Sequence, residues 1–173
     1  MERLPTDYKL KESTWWNYFK ITEEPQEFRI LTSPILWYEY FAVDDDTTHP
    51  VRQKEPFEDG IPGDSANGQA PKEFRAFVVW NHNLCRLQVM EITQQSIKKE
   101  ILKYVQDTEN WWDPKKYDFR ISRTWKGKET RYSLTALPKS KFESEDLYKA
   151  ALEDAAKVEL SALYDNGDPF KPF

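Results

Sequence analysis

A mainly β fold is predicted by three observations: a partly open five-stranded barrel with one helix between its third and fourth strands. Residues 28–43, 74–92 and 117–137 are rich in Val, Ile, Phe, Tyr and Trp, the side chains that suit a pleated, half-buried surface. Two of these segments are cut by short turn sequences, Asn81-His82-Asn83 and Lys126-Gly127-Lys128, which read as hairpins. Between them, residues 94–107 carry apolar side chains at the helical period. Three strands, a helix and two strands is the order of an OB-fold.

The elements follow in order. Residues 1–25 form an arm with clustered aromatics, Trp15, Trp16, Tyr18 and Phe19, followed by Lys20. Residues 26–141 form the barrel. Its first strand runs over 28–32 and 35–43 and bends at Ser33-Pro34, because proline donates no ladder hydrogen bond. Trp37, Glu39, Phe41 and Val43 share one face of it, and Tyr38, Tyr40 and Ala42 the other. Residues 44–72 hold four prolines and three glycines after Asp44-Asp45-Asp46, so a long flexible loop is expected. Residues 74–80 and 84–92 form the first hairpin, with Cys85 read as a buried structural thiol. Thr93 caps a helix over 94–107 with Ile97, Ile101, Tyr104 and Val105 on its apolar side. Residues 117–125 and 129–137 form the last hairpin, and Pro138 ends the sheet. Ser144 caps a final helix within residues 142–164, and residues 165–173 are a tail.

Composition bounds the function. The chain has 173 residues, one domain's worth, with 32% charged residues. No apolar run reaches the ~20 residues of a membrane span, so a soluble protein with no membrane partner is expected. The first eleven residues are charged without an apolar stretch, so no secretory signal is expected. One cysteine and two histidines leave no internal disulfide and no zinc-ligand set. A reducing, cytoplasmic setting fits.

Charge and aromatic content conflict at first. The net charge is -5, yet aromatics make up 15%, as a base-stacking surface would require. The charge is segregated. Residues 111–141 carry nine basic and three acidic residues, whereas 142–173 carry three basic and eight acidic. Such asymmetry points to an anion-binding region and an acidic tail, or to solvated faces alone.

Catalysis lacks a motif. None of the five glycines is spaced as a phosphate-binding loop. Cys85 lies in a strand pattern, His82 in a turn, and His49 beside Asp44–Asp46 matches no metal loop. No cofactor, metal or enzymatic activity is therefore expected.

Nucleic-acid binding needs cations that track phosphates and planes that stack on bases, and residues 117–132 supply both. Arg123, Trp125, Lys126, Lys128 and Arg131 form the expected centre. Arg120 and Arg123 fall on opposite faces of their strand. Trp125 is either a stacking plane or a cross-strand support of the hairpin. Tyr38 and Tyr40 form the candidate ligand face of the first strand, since a buried tyrosine hydroxyl needs a partner. Arg29, Arg75, Lys115 and Lys116 are further candidate phosphate contacts. Tyr18, Phe19 and Lys20 either stack and pair or strap the barrel. In the tail, Asp168, Pro169, Phe170, Pro172 and Phe173 form a candidate partner-docking tip, or a frayed end.

Several runs carry a family resemblance. These are Phe28-Arg29-Ile30-Leu31, Trp37-Tyr38-Glu39-Tyr40, Phe77-Val78-Val79-Trp80-Asn81, Val89-Met90-Glu91-Ile92-Thr93-Gln94, Asp113-Pro114-Lys115-Lys116-Tyr117-Asp118 and Arg120-Ile121-Ser122-Arg123-Thr124-Trp125-Lys126-Gly127-Lys128. Over residues 15–140 the chain resembles the single-stranded-DNA-binding proteins of tailed bacteriophages. The resemblance implies an OB-fold that coats and protects single-stranded DNA, independently of sequence, in phage replication and recombination. The terminal Pro-Phe is similar to the tip through which bacterial single-strand-binding proteins recruit replication and recombination partners, although Lys171 before it departs from that pattern. The expected protein is thus a monomeric or weakly self-associating binder of single-stranded DNA. The alternatives are a non-enzymatic protein-interaction or virion module with an OB-like barrel, and a metal-dependent nuclease.

Overall fold

Ser33-Pro34 divides the first predicted strand in two. In the computed structural model, which describes residues 17–58, 60–165 and 167–171 and Lys126 by its backbone alone, β1 is Gln26–Ile30 and β2 is Ile35–Asp44. Both lie along one edge of β4 (Lys72–Asn81), with Ile30 opposite Val79 and Ile35 opposite Ala76. The bend at Pro34 therefore redirects one long strand without removing it from the sheet.

The expected loop over 44–72 is corrected at its start. Asp45 and Asp46 have φ of 43° and 66°, the two left-handed residues of a tight hairpin turn. The turn returns the chain as β3, Thr47–Gln53, paired with β2 from Asp44 opposite Thr47 to Tyr38 opposite Gln53. Pro50 is tolerated because β3 ends the sheet, where one side needs no donors.

The first predicted hairpin is present with a longer turn. β4 runs to Asn81, β5 is Arg86–Ile92, and residues 82–85 connect them. The buried Asn81 carboxamide shapes the turn, accepting the amides of Asn83 and Leu84 at 3.0 and 3.2 Å. Cys85 is exposed in this turn with φ of 52°. It is not a buried strand thiol.

α1 is Gln95–Val105, with Gln94 rather than Thr93 at its N-cap. Ile97 is buried, and Ile101 and Tyr104 pack beside it. β6 (Asp118–Lys126) and β7 (Glu129–Leu137) are joined by a two-residue turn, since Lys126 pairs directly with Glu129. Gly127 takes the left-handed φ of 64° there, which a glycine adopts without a Cβ clash.

The last helix is shorter than expected. α2 is Glu145–Ala156, and a separate 3-10 helix covers Leu160–Asp165. Ser144 Oγ accepts the Leu147 amide at 3.1 Å, and Glu145 and Asp146 face the positive helix end.

The result is a mainly β protein built on an open antiparallel sheet of seven strands, ordered β3-β2-β4-β1-β6-β7 with β5 on the other edge of β4. The split of the first strand at Pro34 and the unexpected β3 account for seven strands rather than the five expected. Alternation sets two cores. On one face Phe28, Ile30, Phe77, Val79, Met90 and Phe119 pack against α1. On the other, Trp37, Ala76, Val78 and Val89 pack against Ala151 and Ala155 of α2 and against Leu160 and Leu163. The small alanines let α2 approach the sheet closely. Among the described residues, no helix is long and apolar enough to cross a membrane.

Candidate nucleic-acid interface

The β6–β7 hairpin fixes which cations and planes meet. Its register sets Trp125 opposite Thr130, Arg123 opposite Tyr132 and Ile121 opposite Leu134. Period-2 alternation carries the core face of Phe119 and Ile121 out along the hairpin to Arg123 and Trp125. Trp125 is 57% exposed, and the Arg123 guanidinium carbon lies 5.7 Å from its ring centre. That geometry is a cation–π contact. It leaves a broad aromatic plane in water beside a positive charge. Arg123 Nε is buried and has no hydrogen-bond partner among the described residues.

Beside them lies a groove of about 330 Å³, lined by Lys20, Thr22, Met90, Gln94, Arg123 and Tyr132, with Phe19, Ile21 and Glu91 completing it. The segment 17–22 builds its near wall. Tyr18 bridges to Val89, the Phe19 amide donates to the Val89 carbonyl at 2.8 Å, and the Arg123 amide donates to the Thr22 carbonyl at 2.9 Å. Phe19 is buried against Phe28, ring centres 5.2 Å apart. Of the two expectations for this segment, Phe19 takes the strap role, while Lys20 is exposed at the groove.

A second groove of about 390 Å³ lies between the β2–β3 hairpin and residues 66–72, lined in part by Phe41, Thr48, Asn67, Lys72, Phe74 and Thr93. The first groove reaches Glu91 and Gln94 and the second reaches Thr93, so the two flank the β5–α1 junction. Phe41 is 53% exposed.

Electrostatics at the junction are mixed. Burial pushes the Glu91 carboxyl above its ordinary range, Arg52 pulls it back and Glu39 raises it again. Glu39 itself is buried, accepting from Trp37 Nε1 at 3.2 Å and paired with Arg52 Nε.

The expected site residues do not all gather in one place. Arg123 and Trp125 come together as expected. Arg131 does not join them. The two-residue turn shifts the register by one, placing Tyr132 on their face and Arg131 on the opposite face, across from Thr124. Arg131 lies 4.0 Å from Glu129, and Lys128 is exposed at the turn. The side chain of Lys126 lies outside the described residues.

Arg29 is corrected outright. It is 3% exposed and its Nε donates to Asp118 Oδ1 at 2.7 Å. Its guanidinium also reaches the Lys115 carbonyl and Ser140 Oγ, beneath the Phe142 and Tyr148 rings. Asp118 is fully buried and also receives His82 Nε2 at 2.9 Å and the Lys141 amide at 2.6 Å. Burial alone would raise its carboxyl. The donors from His82, Arg29 and Lys141 outweigh burial and hold it below the ordinary carboxylate range. The cluster ties β1, the β4–β5 turn, β6 and the chain after β7 together, and its cation is spent inside the fold.

Arg75 and Lys115 line a different cavity beside α1, and Arg75 pairs with Glu73 at 2.8 Å. Lys116 is exposed on the side of Phe142 and Tyr148. Arg120 pairs with Glu27 at 2.9 Å on the face opposite Arg123. Tyr38 is half-buried. Tyr40 is held by Asp64, its hydroxyl donating at 3.1 Å, with its ring 5.1 Å from that of Phe57. Tyr40 is thus engaged by Phe57 and Asp64 at the wall of the second groove, and Phe41, on the opposite face of β2, is the more open aromatic.

The tail is also corrected. Pro169 is buried with its carbonyl accepting the Glu159 amide at 2.9 Å, and Phe170 packs on the α2 core. Asp168 accepts the Phe170 amide at 2.9 Å. These three residues are folded onto the protein rather than offered as a free tip. Pro172 and Phe173 lie outside the described residues.

Tyr132 and Phe41 were not singled out from the sequence. Tyr132 follows from the turn length, since a two-residue link makes it the partner of Arg123. Phe41 carries no such signal, because its exposure depends on where residues 54–71 fold. Among the described residues, no three His, Cys, Asp or Glu side chains form a group able to share a metal ion. Comparison with protein-family models, curated proteins and solved structures finds no match to this chain.

Proposed function

We propose that this protein is an OB-fold binder of single-stranded DNA, sequence-independent, of the kind tailed bacteriophages use to coat and protect DNA in replication and recombination. The observation that carries this is the exposed Trp125 plane with Arg123 over it, Arg123 itself lining a groove with Lys20 and Tyr132. Bases stack on such a plane and phosphates follow the cations.

The ladder pattern supports the barrel assignment. The bent strand β1–β2 pairs with β4 and, through β1, with β6. β4 pairs with β5, and β6 with β7. These are the neighbours of strands one to five of an OB-fold, with β3 as an added edge strand. OB-folds bind oligonucleotides on the face of strands two and three and with the loops between strands one and two and between four and five. Here α2 and Leu160–Asp165 cover one side of β4 and β5. The nucleic acid would therefore lie along the seam between β5 and the β6–β7 hairpin, extending toward Phe41.

The same cover favours a second reading, a protein-interaction module in which the aromatics serve packing. A titration of intrinsic fluorescence with oligo-dT, repeated over a salt series, separates the two. Binding with tryptophan quenching, and a slope in log affinity against log salt of about -0.7 per phosphate contacted, is expected. No quenching and no mobility shift at low salt would leave only the interaction module.

A further inference from the structure

Two surfaces at opposite ends of β2 complement each other. Where residues 31–34 join β1 to β2, a cavity of about 320 Å³ opens between that bend, β4 and α1. Pro34, Phe77, Ile101, Leu102 and Val105 wall it. Leu102 is 49% exposed, an apolar side chain the fold leaves in water. Arg75, Lys98 and Lys115 also line the cavity. Glu73 lies 2.8 Å from Arg75 and 3.6 Å from Lys98. Glu73 thus lies against two of the three lining cations, Arg75 and the buried Lys98, and with Lys115 also in the lining positive charge remains in excess.

At the far end of β2, the loop after β3 folds back along the hairpin. The Val43 amide donates to the Asp64 carbonyl at 2.8 Å, and Ser65 bridges to Ala42. This loop raises Ile61, 59% exposed, between Gly60 and Pro62. Residues 55–64 hold four acids, Glu55, Glu58, Asp59 and Asp64, and no base. An apolar knob with negative flanks is the counterpart of an apolar cavity with a positive rim. Pro34 and Val43 are separated by nine residues of strand, about 30 Å at ~3.3 Å per residue. The loop therefore cannot fill the cavity of its own chain.

We propose that the Ile61 loop of one copy docks into the α1-side cavity of the next, so that the chain associates head to tail with itself. Unlike patches meet in such a contact, and it has no symmetry that closes it at a dimer. The product is a ring where the rotation between copies closes, and otherwise an open array whose length grows with concentration. Charge attraction at the rim makes it weaken as salt rises. The contact requires no nucleic acid, so it stands apart from the DNA-binding proposal.

Sedimentation velocity on the full chain, over a concentration series at low and high salt, tests it. At low salt the average mass is expected to rise past that of a dimer, and at high salt to fall back. Ile61→Ser and Leu102→Glu each remove one of the two surfaces at exposed positions, and each should weaken association at least tenfold. Mixed together, they should form a dimer and nothing larger, since only one intact knob and one intact cavity can meet. Should Leu102→Glu fail to fold, Lys115→Glu replaces it, with Glu58→Lys restoring association. A wild-type protein that stays monomeric, growth that stops at a dimer, or an Ile61→Ser variant that associates normally would each overturn the proposal. So would loss of oligo-dT binding in Leu102→Glu without any self-association, which would give the cavity to nucleic acid.

Discussion

Replacing Trp125 with alanine separates a stacking plane from a support of the hairpin. The side chain is 57% exposed, so truncation gives up the buried remainder, about 100 Å² of a Trp side chain, or about 2.5 kcal/mol. Its contacts include the Arg123 guanidinium at 5.7 Å and the cross-strand position of Thr130. An exposed cation–π contact contributes about 0.5–1 kcal/mol, and a cross-strand pair about 0.2–1 kcal/mol. Together with the lost burial, the stability loss is about 3–4 kcal/mol, or roughly 6–16 °C in Tm for a chain of this size. A base stacked on the ring contributes about 1–3 kcal/mol, which is roughly 5- to 150-fold in Kd. Anisotropy of a labelled oligo-dT at fixed low salt reads the second quantity, and a thermal melt reads the first. Trp125→Phe keeps a plane and should retain most of the affinity. Thr124→Ala, on the opposite face, should change neither measurement. A folded Trp125→Ala variant whose Kd stays within twofold of the wild type would refute the stacking role.

Asp118→Asn removes the charge that three donors converge on. Leaving Arg29 buried beside a neutral partner should cost about 3–5 kcal/mol in urea unfolding. Because the Asp118 carboxyl is held below its ordinary value, its contribution is complete above the unfolded value near 3.9 and is lost as pH falls through the lower folded value. The gap between wild type and variant should close in acid, and a pH-independent gap would contradict the charge-based account. Glu91→Gln should act in the opposite sense. Burial raises that carboxyl, so carrying its charge weakens the fold at neutral pH. The variant should melt higher at pH 7, with the gain vanishing below about pH 4.3, the unfolded glutamate value. Cys85, exposed in the β4–β5 turn, should react with a thiol reagent in the native state at nearly the rate of free cysteine. Protection until denaturant is added would contradict its placement.

The sheet was largely legible in the sequence because its causes are local. Proline at 34, the Asn81 turn, Gly127 and the 3.6-residue period of Ile97, Ile101 and Tyr104 act within a few residues. Each left its mark whatever the rest of the chain did. The same locality explains β3. Prolines and acids between 44 and 72 suggest a loop, whereas Asp45-Asp46 with φ of 43° and 66° makes a tight turn that the composition of the whole stretch conceals.

The site was only half legible. Arg123 and Trp125 meet because they lie two apart on one strand, a relation their spacing alone sets. Whether Arg131 or Tyr132 joins them depends on a single residue of turn length, because a one-residue slip inverts a strand face. Tertiary structure alone decided the fate of Arg29 and Phe41. Nothing near Arg29 in sequence announces Asp118, 89 positions away, and a buried cation is stable only with such a partner. Along β2 the tyrosine face is the expected ligand face, yet Asp64 and Phe57 engage Tyr40 while Phe41 on the other face stays 53% exposed. Short-range chemistry thus selected the strands and turns. Which charged and aromatic side chains remain for a ligand was set by long-range packing, since only the assembled fold determines what each of them is buried against.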